Sequence, residues 1–210
     1  MIFYWIIIWY GAFAGYYLVL KKKNINYRNH PLSIVAWYVV MGIAGALAFH
    51  ARLASVIAYH EDRVFMIIGT LMVISALVAW YYALVTRENV SLKVSRDVFL
   101  AKTSEIFFQQ LMIWILVALC RGLVRGVSDV LIFAVIFFFI HIPLMFVISW
   151  KEGIFFIAAS LFGGIVFALC VIFIPEGWLF ALAVHIIFYT YVESQKEIWG
   201  ISNFYDIKKI

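Results

Sequence analysis

Charge is what this chain has least of. Only 13% of its 210 residues are Asp, Glu, Lys or Arg, whereas 67% are hydrophobic. Soluble domains carry roughly a quarter charged and about half apolar residues. So few polar groups cannot cover a water-facing surface, which argues against a soluble enzyme, a disordered chain or a nucleic-acid module. Cysteine is nearly absent, with two, and proline is limited to three. Those shortages exclude a disulfide scaffold and a proline-rich linker. The strict alternation of an outer-membrane barrel is also missing.

What is there is long apolar runs and a mean hydropathy of +1.04. Unpaired backbone groups are costly in lipid, so the runs are expected to be helices. They predict an all-α bundle of about seven spans, at 2–20, 32–58, 64–86, 98–119, 130–150, 154–174 and 178–192. The second is either one long tilted helix or a helix followed by an interfacial turn. The expected organisation is three N-terminal helices over 1–97, a four-helix core over 98–192 and a short cytoplasmic tail over 193–210. Residues 1–20 lack a basic start and a small-residue cleavage site, and the basic run Lys21-Lys22-Lys23 follows them, so they read as an anchor.

The loops set the expected orientation. Lys21, Lys22, Lys23, Arg28, Arg87, Lys93, Arg96, Lys151 and three lysines of the tail lie on one side. Only Arg63, Arg121 and Arg125 lie on the other. The positive-inside bias then puts the N-terminus out and the C-terminus in, at the cell membrane, with a basic face toward anionic lipid. Trp5, Trp37, Trp80, Tyr81, Tyr82, Trp150 and Trp178 fall near span boundaries and read as interfacial anchors.

Ionisable groups inside spans are expensive and so mark candidate sites. Span four holds Lys102, Ser104, Glu105, Gln109 and Gln110; span five holds His141 near its middle; span seven holds His185. Glu105 and Gln109 share a helix face, and Lys102 can pair with Glu105 or snorkel to the boundary. His50 and Arg52 sit at the end of span two, where boundary solvation accounts for them. Pro143 should open the helix just beyond His141. Cys120 and Cys170 lack a close pair and read as buried thiols. Glu105 with two histidines could form a metal set and two histidines could ligate a haem, but no close ligand spacing supports either. Gly42, Gly45, Gly163 and Gly164 read as close helix packing, or as the interrupted helices of a small transporter.

The order of these groups resembles the CAAX-protease and bacteriocin-processing family of intramembrane peptidases. Ser104-Glu105-Ile106-Phe107-Phe108-Gln109 is similar to its first motif, Glu-Glu-x-x-x-Arg. Phe137-Phe138-Phe139-Ile140-His141 is similar to Phe-x-x-x-His, and His185-Ile186-Ile187-Phe188-Tyr189 to His-x-x-x-Asn. The resemblance covers about 98–190. It implies a cavity among these helices and metal-independent hydrolysis by Glu- and His-activated water, with no cofactor. Ser104 replaces the first Glu, Gln109 the Arg and Tyr189 the Asn. Two readings follow from the resemblance. In one, Glu105 acts as base, His141 shares its proton, and His185 and Tyr189 stabilise the oxyanion. In the other, hydrolysis is lost and the pocket binds a membrane peptide, a lipid or a partner protein, as in an immunity or scaffold protein; the substitutions favour this one. The bilayer is the expected environment, and nucleic acid is not an expected partner.

Overall fold

A computed structural model describes residues 1–195 apart from 24, 26, 28, 58–61, 88–91, 122–126 and 144–149. Among the described residues the architecture is helical with no strand. The order is α1 (Ile2–Tyr10), a π-helical turn (Gly11–Gly15), α2 (Tyr16–Lys23), α3 (Pro31–Ala48), α4 (His50–Ile57), α5 (Arg63–Arg87), α6 (Leu92–Cys120), α7 (Val127–His141), α8 (Trp150–Phe173) and α9 (Gly177–Gln195). Five segments are long and apolar enough to cross a membrane: Ile2–Leu20, Pro31–Ala48, Arg63–Val85, Arg96–Cys120 and Gly153–Phe173. Val127–His141 and Gly177–Val192 are shorter apolar helices. The chain is thus a multi-pass helical membrane protein.

Helix α6 is the axis of the bundle. Of its spanning stretch, 72% is buried, against 17–39% for the others, and it packs on α1, α3, α4, α5, α7, α8 and α9. That burial explains how one helix can carry Lys102, Glu105, Gln109 and Gln110 without exposing them to lipid. Small residues set the closest approaches, as expected where apolar helices gain no hydrophobic drive from association. A Cβ on Gly164 of α8 would stand 3.1 Å from Ala134 Cα of α7, and one on Gly69 of α5 would stand 2.8 Å from Leu179 Cβ of α9. One on Gly45 of α3 would stand 3.2 Å from Met112 Sδ of α6. Gly45 and Gly164 are therefore packing glycines.

The second expected span is divided. The α3 helix ends at Phe49 (φ −122°, ψ 24°), and α4 follows as a short amphipathic helix with Val56 buried and His50 and Arg52 exposed. The exposure of His50 and Arg52 fits a boundary role. In the fifth expected span, α7 runs Val127–His141 and passes into a 3-10 turn at Ile142 and Pro143. Pro143 explains the change, because it lacks an N–H to donate and disfavours helical geometry in the residue before it. Residues 144–149 of that expected span lie outside the described residues, as do 196–210 of the expected tail and Arg28 and Arg125 of the orientation argument.

Two further expectations are corrected. Trp5 and Trp80 are fully buried, not interfacial, whereas Tyr82 and Trp150 are exposed. Trp5 Nε1 donates to the Met112 carbonyl at 2.8 Å, fastening α1 to α6. Lys102 does not snorkel; it is 6% exposed. Tyr10 donates to the Ile140 carbonyl, satisfying one of the orphan acceptors at the end of α7. At the α8–α9 turn Glu176 adopts φ 53° and is buried, accepting from Trp178 Nε1 at 2.7 Å and from the Asp62 N–H at 3.3 Å. Gly177 follows, where a Cβ would overlap the Cys170 carbonyl, so only glycine fits.

Candidate functional site

The site is built on one face of α6. Residues 102, 105 and 109 are three and four apart, so they stack on a common stripe. Lys102 Nζ donates to both Glu105 oxygens at 2.8 Å. Gln109 Nε2 donates to Oε1 at 2.9 Å, and the Tyr27 hydroxyl donates to Oε2. A carboxylate offers about four acceptor directions. All four are used, and Glu105 is 4% exposed.

Tyr189 of α9 closes the network by donating to Gln109 Oε1 at 3.1 Å. The Lys102 ammonium lies 4.7 Å from the Tyr189 ring centroid and 5.7 Å from that of Tyr27. Cation–π attraction therefore supplements the ion pair. Tyr27 enters from the loop between α2 and α3. Its phenol is held well above the ordinary value near 10, first by burial and then by the Glu105 charge.

Two adjoining cavities sit beside this network. The first, about 120 Å³, is lined by Tyr27, Lys102, Glu105, Gln109, His141 and Tyr189, with Trp9 and Phe156 among its apolar walls. The second, about 280 Å³, shares Trp9, Gln109, His141, Phe156 and Tyr189 and adds His185 with Phe137, Phe167 and Phe188. Phe162 and Val166 of α8 line the second cavity and are themselves exposed on the outside of the bundle. The cavity therefore meets the lipid-facing surface along α8.

Five of the six sequence-selected residues converge here. Glu105, Gln109, His141 and Tyr189 line the first cavity, and His185 joins from the second. Ser104 does not join. Its hydroxyl turns back to the Ala101 carbonyl at 2.7 Å, and it lines a separate groove with Thr103 and Phe107. The reason is helical geometry: one residue from Glu105 is about 100° around α6. Sequence reasoning missed Tyr27, whose position in a basic loop carries no periodic signal, and Trp9, one of eight tryptophans. Among the described residues no group of three or more metal-binding side chains occurs. Cys120 and Cys170 are buried and unpaired with one another.

No family model, curated protein or solved structure matches the chain.

Proposed function

We propose that this chain crosses the cell membrane about seven times, N-terminus out and C-terminus in. On this reading it is a catalytically silent relative of the CAAX-protease and bacteriocin-processing peptidases that binds a membrane-borne peptide or lipid in its intramembrane pocket. The five long apolar segments with the two shorter ones support the span count.

One observation carries the loss of catalysis. A general base must accept a proton from water, yet every acceptor direction of Glu105 is occupied, two of them by a lysine ammonium. Gln109 also replaces a cation by a neutral amide that serves the carboxylate. The polar groups satisfy one another, leaving the cavity beside them to a ligand. A pocket with apolar walls and a few convergent polar groups is the usual form of a binding site.

A photoreactive residue at Phe156, which lines both cavities, tests this in membranes, with Phe139 on the exposed face of α7 as control. Adducts at 156 that are absent at 139 and are displaced by a competing ligand are expected. Equal labelling at both positions would remove the binding role. Cleavage of a membrane peptide by the purified protein, abolished by Glu105→Ala, would refute the loss of catalysis.

A further inference from the structure

The second cavity holds two imidazoles, each hydrogen-bonded on one side of its ring. His141 Nδ1 lies 2.6 Å from the Phe137 carbonyl oxygen, and His185 Nδ1 lies 3.0 Å from Gln110 Oε1. The Phe137 carbonyl only accepts, so Nδ1 carries the proton in His141, whereas the Gln110 amide can turn either its oxygen or its NH₂ to His185. In a neutral imidazole that leaves His141 Nε2 with a lone pair. It meets no donor among the described residues. Both rings line the same 280 Å³ cavity, and His141 Nε2 presents a hydrogen-bond acceptor there.

Its other walls are mostly apolar, with Gln109, Ser160 and Tyr189 as polar exceptions. Phe137, Phe156, Phe167 and Phe188 face it, and the Glu105 charge next door is already matched by Lys102. A metal cation would find two imidazoles and neutral oxygens, with no carboxylate among the described lining residues to balance its charge, which is costly in such surroundings. The 280 Å³ cavity adjoins the first and opens toward lipid along α8. A single ring or alkyl chain with a small head fits.

The head's chemistry follows from that lone pair: a hydroxyl donates to it, whereas a carbonyl or an ether cannot.

Resting on the binding role above, we infer that the cavity takes a neutral amphiphile with a hydroxyl head, a phenol or an alcohol. Its oxygen donates to His141, and its apolar body enters from lipid along α8. The ligand class is thus set by what His141 lacks.

The test compares 4-octylphenol with 4-octylanisole, equal in apolar body but differing in the donor, against the full chain in nanodiscs. Binding is read from Trp fluorescence and thermal stability at equal mole fraction. The phenol is expected to bind about tenfold more tightly, the value of one good hydrogen bond. His141→Phe with His185→Phe should erase that preference. Should the variant not fold, nitrogen-15 spectra of the wild type serve instead. The His141 Nε2 signal should lie at the unprotonated position and should move on adding the phenol alone. Equal binding of the two probes, or a protonated His141 Nε2, would overturn the hydroxyl inference and leave the pocket's binding role standing. Binding of neither probe, with peptide adducts at Phe156, would overturn it in favour of a peptide. Binding of neither, with no adducts at all, would overturn both readings.

Discussion

Removing the Lys102 side chain should be among the most damaging single changes in the bundle. Lys102→Met keeps most of the aliphatic stem but deletes two of the four hydrogen bonds to Glu105, both at 2.8 Å. Charge-assisted bonds contribute roughly 1.5–3 kcal/mol each, so the direct loss is about 3–6 kcal/mol. The general cost of breaking a buried ion pair on one side, about 3–5 kcal/mol, agrees. Glu105 would be left buried with Gln109 and Tyr27 as donors and no counter-charge. Glu105→Gln should cost a similar amount, because it leaves the ammonium without its carboxylate. The double variant Lys102→Met, Glu105→Gln removes both charges and should recover most of the loss, leaving about 1–2 kcal/mol for the disturbed hydrogen bonds. Reversible unfolding in mixed micelles, run as a double-mutant cycle, measures the coupling. If each single variant cost under about 1 kcal/mol, or the two losses simply added, the saturated carboxylate described above would be the wrong picture.

Three other outcomes are expected. Gly164→Val should destabilise the α7–α8 contact by about 1–3 kcal/mol, because its Cβ meets backbone at Ala134. Gly11→Ala, with open space around it, should be neutral or slightly stabilising; thermal denaturation in detergent compares the two. Trp5→Phe should cost about 1 kcal/mol by freeing the Met112 carbonyl, and amide exchange near Met112 should rise with it. Tyr27 gives a pH dependence. Its folded pKa is raised, so its contribution is complete below the unfolded value of about 10 and is lost as pH climbs through the higher folded value. Wild type should therefore lose more stability above pH 10 than Tyr27→Phe, and parallel alkaline unfolding curves would contradict this.

Much of the site was legible because intramembrane polar residues are rare enough to stand out. Glu105 with Gln109, and Lys102 with Glu105, could be paired from helical spacing alone, and both pairs form. The same spacing places Ser104 off the face it was grouped with. Tyr27 and Trp9 could not be read this way, since their roles arise from contacts 78 residues away in one case and from cavity walls in the other.

The sequence by itself determined the environment and the kind of element. Long apolar runs with 13% charge admit helices in lipid, because the backbone must satisfy its own hydrogen bonds there. It also determined where α7 stops, since proline removes a donor wherever it stands. Only the tertiary structure decided that α6 is the central helix, that Lys102 is buried rather than snorkelled, and that the carboxylate of Glu105 has no acceptor direction left. Those outcomes depend on which helix faces meet, and helices that are apolar on nearly every side do not announce their neighbours.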